Sequence, residues 1–244
     1  MEILGIDVGG SGIKGAPVDT NTGALMGERF RIKTPKGAET ESVAGVVKQI
    51  VDHFEWKGPV GIGFPAPIKH GIVKLASNVS PAWIGMNADE FLTTATGCDV
   101  TVGNDADVAG LAEMAFGAGK DKMGTVILIT LGTGLGSAIF IDGKLIPNTE
   151  FGHIEIDGHD AETQASDAAR QREELSWKKY ARRLNRYFLQ MEKLFWPDLF
   201  IIGGGISKFS DNYIPLLRVE APVVPASFLN EAGIVGAALA ARKS

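Results

Sequence analysis

The stretch Ile3-Leu4-Gly5-Ile6-Asp7-Val8-Gly9-Gly10-Ser11-Gly12-Ile13-Lys14-Gly15 decides the fold. Residues 3–8 form an apolar run that reads as a buried strand. A glycine-rich turn follows at 9–12, and a second apolar run over 13–18 comes directly after it. The chain then turns at Asp19-Thr20-Asn21-Thr22-Gly23 and closes on Ala24-Leu25. The glycines at 10, 12 and 15 formally match a dinucleotide-binding fingerprint, but that fingerprint needs a helix after the loop to hold the pyrophosphate. A strand follows instead, which argues against an NAD-dependent dehydrogenase and for a hairpin.

The pattern returns about half a chain later. Residues 126–131 form an apolar run that ends in Gly132-Thr133-Gly134, a second run covers 137–141, and Asp142-Gly143-Lys144-Leu145 makes the closing turn. A repeat of strand, glycine loop, strand and hairpin predicts an α/β chain of two related lobes. We place an N-terminal lobe at 1–104 and a C-terminal lobe at 105–244. A third buried strand over 199–202 runs into Gly203-Gly204-Gly205. Helical periodicity predicts helices over 41–53, 88–96, 105–116 and 173–195, the last stopping at Pro197. Its stripe of Trp177, Tyr180, Ala181, Leu184, Phe188, Met191 and Phe195 reads as core. A final helix over 232–241 is rich in small residues, and its packing back on the N-terminal lobe is part of the expected arrangement.

Length and composition bound the function. With 244 residues, 45% of them apolar, the chain can bury a large core, and a net charge of −5 offers no global basic field for nucleic acid or an anionic membrane. One cysteine, Cys98, excludes an internal disulfide and a cysteine-based zinc cluster, and it suits a reducing, cytoplasmic compartment. No apolar run reaches the roughly 20 residues of a membrane-spanning helix, and the N-terminus lacks a secretory pattern.

Chemistry concentrates at the two loops. Gly9, Gly10, Ser11 and Gly12 supply closely spaced amides and a hydroxyl, Lys14 a cation, and Asp7 a carboxylate able to hold magnesium directly or through water. Thr130, Gly132, Thr133 and Gly134 supply amides and hydroxyls without charge. Each loop alone is also compatible with a plain tight turn, and Asn104-Asp105 before a helix with an ordinary N-cap.

The ordered set Asp7 to Lys14, Asn104-Asp105, Thr130 to Gly136, Glu150-Phe151-Gly152-His153 and Gly203-Gly204-Gly205-Ile206-Ser207 resembles the ROK family of bacterial sugar kinases and repressors across nearly the whole chain. Within it the chain looks most like the polyphosphate-dependent glucokinases and glucomannokinases of actinobacteria. The resemblance implies a two-lobed, actin-like, ribonuclease-H-like fold with the sugar in a cleft between the lobes. It also implies transfer of a phosphoryl group from polyphosphate or ATP, with Mg2+, to the 6-hydroxyl of glucose. Asp105 becomes the catalytic base. Asn78, Asn104, Asp105, Glu150 and His153 become sugar ligands, Gly204 and Gly205 join the donor site, and a homodimer is expected.

Departures matter as well. Many family members follow Glu-x-Gly-His with a cysteine-rich zinc site, and residues 154–166 hold no cysteine, so no structural zinc is carried over. Glu162 keeps the spacing of a sugar-binding glutamate four residues before Ser166, and a solvated surface carboxylate is the alternative. Ala66 stands where the family commonly has glycine. The repressor branch carries an added N-terminal helix-turn-helix, whereas this sequence opens on the first loop, so repression of DNA is not expected. Lys178, Lys179, Arg182, Arg183 and Arg186 form a strip that can guide a linear polyanion or simply be solvated. The competing functions are a kinase of another hexose, such as mannose, fructose or an N-acetyl sugar, and a non-catalytic sugar sensor.

Overall fold

The structure, a computed structural model, describes residues 1–242; the last two residues of the expected C-terminal lobe lie outside the described residues. The chain divides into two compact units. One is Met1–Ala112 joined by the chain from Glu231 onward, and the other is Glu113–Asn230.

The first unit contains β1 (Glu2–Val8), β2 (Ile13–Asp19), β3 (Ala24–Leu25), β4 (Phe30–Ile32), α1 (Thr40–His53) and β5 (Val60–Phe64). The short hairpin β6 (Ile68–Lys69) and β7 (Ile72–Val73) follows, then α2 (Ala88–Thr96) and β8 (Val100–Asn104). Its sheet runs β3-β2-β1-β5-β8, with β4 also on β2; β1 and β2 are antiparallel, whereas β5 and β8 join β1 in parallel. Helix α3 (Asp105–Phe116) leaves the end of β8.

The second unit contains β9 (Thr125–Leu131), β10 (Leu135–Ile141), β11 (Lys144–Ile146) and the hairpin β12 (Glu155–Ile156) and β13 (His159–Asp160). After these come α4 (Ala161–Ala165), α5 (Asp167–Arg172), α6 (Trp177–Phe195), β14 (Leu199–Gly203) and β15 (Val223–Pro225). Its sheet runs β11-β10-β9-β14-β15, again an antiparallel hairpin followed by parallel strands. The repeat read from the glycine loops is thus a repeat of sheet topology. Helix α7 (Ala232–Ala240) belongs to the first unit and packs on β1 and β5.

Close approach of α7 explains the strand glycines. A Cβ at Gly5 would lie 2.0 Å from the Ile234 carbonyl oxygen, one at Gly61 1.8 Å from that of Ala237, and one at Gly236 1.5 Å from that of Val108. Backbone therefore meets backbone on this face of the sheet, and no side chain fits between. The same requirement hides β5 and β8 from pattern reading, because Val60-Gly61-Ile62-Gly63-Phe64 and Val100-Thr101-Val102-Gly103-Asn104 carry glycine where a strand usually carries a branched or aromatic residue. Val108 at the end of the first turn of α3 packs against Gly63 and Gly103, so the start of that helix belongs to the first unit and the division falls within α3.

The long basic helix starts later than its periodicity predicts. Glu174 has a positive φ of 48°, which breaks the helical run, and Ser176 caps α6 by accepting from the Lys179 amide. Trp196 closes it in the left-handed region at φ 46°. Tyr180, Ala181, Leu184, Tyr187, Phe188 and Met191 are buried in the second unit's core, with Trp177 and Phe195 packed at its margin.

Candidate active site

In the first unit Asp7, Asn104 and Asp105 gather at the carboxyl ends of the parallel strands, where loops in α/β sheets collect ligands. Asp7 ends β1 beside Gly63 of β5, which in turn pairs with Gly103 of β8, immediately before Asn104 and Asp105. A Cβ at Gly233 would come within 2.7 Å of the Asp7 carboxyl carbon, so the start of α7 abuts Asp7. Lys14 lies directly across the hairpin and pairs with Asp7 at 3.0 Å, both side chains largely covered.

The first glycine loop is held at both ends. The Gly9 amide donates to the Gly12 carbonyl at 3.2 Å, and the Thr34 hydroxyl donates to the Gly9 carbonyl at 2.5 Å. The exposed Arg31 guanidinium donates to the Ser11 carbonyl at 2.7 Å and lies where a Cβ at Gly12 would stand. Arg31 thus adds a second cation to this loop. Nothing local marks it: strand pairing brings it opposite Lys14.

Asn104 is buried, and its side-chain oxygen accepts from the amides of Ala106 at 2.9 Å and Asp107 at 3.1 Å, so it caps α3. Asp105 is half-buried, and one of its oxygens accepts from the Ala106 amide at 2.8 Å. The cap and a functional role coincide here, since a capped helix start fixes both side chains. Asn78 is exposed in the bend before the Pro81–Trp83 turn.

In the second unit the Gly132 amide donates to the Gly134 carbonyl at 3.0 Å, while the Gly132 carbonyl accepts from the Ala168 amide at 3.0 Å. The Leu135 amide, at the exit of the loop, donates to a Glu162 carboxylate oxygen at 2.9 Å. Glu162 is therefore partly committed to the loop, a task its position in the sequence does not reveal. Gly204, at φ 81°, follows β14 against the other side of β9, where a Cβ would meet the Leu131 carbonyl oxygen at 2.4 Å. Gly205 beside it is exposed, and the Ser207 hydroxyl donates to the Gly204 carbonyl.

The segment Glu150-Phe151-Gly152-His153 lies on β10. Only glycine fits at 152, because a Cβ would come within 2.2 Å of the Leu135 carbonyl oxygen, and the Phe151 amide donates to the Ser137 hydroxyl at 3.0 Å. Burial pushes the Glu150 carboxyl above its ordinary range, partly offset by His153 at 4.0 Å. A hydrogen bond to Asp160, 3.0 Å from Nδ1, raises the His153 imidazole, and the charges of Asp160, Glu162 and Glu150 act in the same direction. The sequence pattern does not flag Asp160, because the acidic partner of a capping box stands three residues after the cap and position 163 is threonine. The other oxygen of Asp160 accepts from the Glu162 amide at 3.1 Å and caps α4.

No group of three or more His, Cys, Asp or Glu side chains able to hold a metal occurs among the described residues. Asp7 offers a lone carboxylate already paired with Lys14. That fits a magnesium ion held mainly by donor phosphates and water, and not one caged by protein.

Basic residues on α6 differ in their commitments. Arg183 pairs with Glu173, and Arg186 with Asp157 at 3.3 Å, whereas Lys178, Lys179 and Arg182 are exposed and form no ion pair among the described residues. Most small residues of α7 are buried, with only Gly233 and Ala240 half-exposed, so the helix presents little small-residue surface for a dimer. The exposed apolar side chains Leu189, Leu194 and Trp196 lie instead along and just beyond the second half of α6. No helix among the described residues is long and apolar enough to cross a membrane.

Comparison with known proteins agrees with this architecture. The chain is 49% identical over 97% of its length to a protein of Mycobacterium tuberculosis (strain CDC 1551 / Oshkosh) named polyphosphate glucokinase, covering 90% of that relative. A Mycobacterium leprae (strain TN) protein of the same name is 45% identical, with 97% of this chain and 74% of the relative covered. Among solved structures, an inorganic polyphosphate/ATP-glucomannokinase from Arthrobacter sp. strain KM superposes with a TM-score of 0.95 at 54% identity, covering 98% of this chain and 97% of that one. A ROK family glucokinase from Streptomyces griseus, in complex with glucose and AMPPNP, gives 0.85 at 26% identity with both chains fully covered. The fold is the two-lobed, actin-like α/β fold of these sugar kinases. With residues 3–169 also matching the family model, the chain belongs to the ROK family.

Proposed function

We propose that this protein is a glucokinase that transfers the terminal phosphoryl group of inorganic polyphosphate or ATP to the 6-hydroxyl of glucose. The observation that carries this is the near full-length likeness to polyphosphate glucokinases at 49% identity. In the proposed reaction Asp105 accepts the proton of the primary hydroxyl as its oxygen bonds to the terminal phosphorus. The bridging P–O bond breaks, and the leaving group is ADP or a polyphosphate one unit shorter. Positioning supplies most of the rate, because an ordinary aspartate, with a pKa near 3.9, is a weak base and phosphoryl transfer tolerates late proton transfer.

Asn78, Asn104, Glu150, His153 and Glu162 are proposed to bind sugar hydroxyls. The capped, buried Asn104 keeps its side-chain NH2 group for that purpose. Gly9, Gly10, Ser11, Gly12, Lys14, Thr130, Gly132, Thr133, Gly134, Gly204 and Gly205 are proposed to bind donor phosphates, assisted by Arg31. Magnesium, when bound with the donor near Asp7, would neutralise charge on its phosphates. Lys178, Lys179 and Arg182, without ion pairs of their own, support a track for polyphosphate. A homodimer through Leu189, Leu194 and Trp196 and a cytoplasmic location complete the proposal.

A second reading, activity on mannose as well, is favoured by the likeness to a glucomannokinase. The test is a kinase assay pairing ATP and polyphosphate with glucose and mannose. Asp105→Ala is expected to lower kcat by about 10²–10⁴-fold; undiminished transfer would remove Asp105 from the base role. Absence of sugar phosphate from every pairing, with glucose still bound, would make the protein a sensor.

A further inference from the structure

We propose that Asp160 and Glu162 are positioning residues that tie the sugar-side segment 150–153 to the donor loop 132–134, so that ordering one orders the other. The inference rests on the kinase reading above. Asp160 serves two partners with its two oxygens: Oδ2 holds His153 Nδ1 at 3.0 Å, and Oδ1 accepts the Glu162 amide at 3.1 Å. Fixed at the start of α4, Glu162 presents Oε2 to the Leu135 amide at 2.9 Å, where the glycine loop re-enters β10. Leu135 closes the circuit, because its carbonyl oxygen lies 2.2 Å from where a Cβ at Gly152 would stand, between Glu150 and His153. Leu135 is thus bonded at its amide to Glu162 and packed at its carbonyl against Gly152.

The Asp160 carboxylate also decides which nitrogen of His153 carries hydrogen. An acceptor at Nδ1 makes that nitrogen the donor, so in the neutral ring Nε2, 4.0 Å from Glu150 Oε2, is the nitrogen left with a lone pair to accept a hydroxyl hydrogen. Both Asp160 and His153 are more than a third exposed, so their pair adds little to global stability. Its effect belongs in the kinetics.

Three variants separate the links. Asp160→Ser keeps a capping hydroxyl for α4 and is too short to reach His153. It should raise the glucose KM and leave donor KM and Leu135 amide exchange near wild type. Asp160→Ala removes both links. It should raise the KM for glucose, ATP and polyphosphate and speed Leu135 amide exchange by roughly fivefold or more, the loss expected with a helix cap. Glu162→Gln keeps an acceptor for the Leu135 amide, so exchange there should stay slow while the glucose KM rises.

Donor KM and Leu135 exchange unchanged in Asp160→Ala would overturn the coupling. If that variant does not fold, normal donor kinetics together with slow Leu135 exchange in Glu162→Ala would overturn it equally. Absence of any kinase activity in the wild type would sink the functional reading instead, with Leu135 exchange in the variants still testing the link.

Discussion

Replacing Gly236 by alanine adds one methyl group to α7 and tests how the first unit is held together. Helix propensity alone favours the change by about 1 kcal/mol. The surroundings oppose it: the new Cβ would stand 1.5 Å from the Val108 carbonyl oxygen, against the 3.4 Å at which ordinary contact begins, so α7 and α3 must separate by about 1.9 Å. The obstacle is backbone on both sides, and no rotamer relieves it. Overpacking of this kind costs about 1–3 kcal/mol where side chains can yield, and here they cannot, so a net loss of at least about 3 kcal/mol is expected. For a chain of this length each kcal/mol lowers Tm by about 2–4 °C, which gives a fall of roughly 6–12 °C by calorimetry. Gly45→Ala is the control: it is the same substitution inside α1, where a Cβ meets nothing within 4 Å, and it should raise stability by up to about 1 kcal/mol. Because α3 begins with Asp105, Gly236→Ala should also lower kcat even at temperatures where the protein remains folded. A Gly236→Ala protein as stable and active as wild type would refute backbone contact as the reason for the glycine.

Further expectations follow from the same geometry. Asp160→Asn should lower the midpoint at which His153 titrates, read from its ring proton shifts, because the carboxylate that raises it is gone while Glu150 and Glu162 remain. The sign for stability is that of a raised histidine: the contribution is present below the unfolded value of about 6.5 and is lost as pH rises through the folded midpoint; an unmoved midpoint would show that Asp160 is not its cause. Lys178→Glu with Arg182→Glu should raise the KM for long polyphosphate and weaken its salt dependence, leaving the KM for ATP alone; equal changes for both donors would remove the strip from polyphosphate binding. Ser176→Ala should cost about 1 kcal/mol, seen as a fall in Tm of a few degrees, by uncapping α6.

What local sequence determined is what short-range physics determines. Glycine loops after apolar runs announced both hairpins and their duplication, the Asn104-Asp105 pair before a periodic run announced the start of α3, and the order of motifs identified the family. Asn104 and Asp105 were legible because a helix cap and a functional pair need the same residue types. The tertiary structure decided what depends on residues distant in the chain. It revealed β5 and β8, whose glycines look like loop residues until α7 and α3 are set against them. It brought Arg31 to Ser11 by strand pairing, spent the small face of α7 inside the first unit, and turned Glu162 toward the Leu135 amide. A backbone contact across more than 100 positions, such as Gly236 against Val108, leaves only a glycine in the sequence, and a glycine by itself does not say what approaches it.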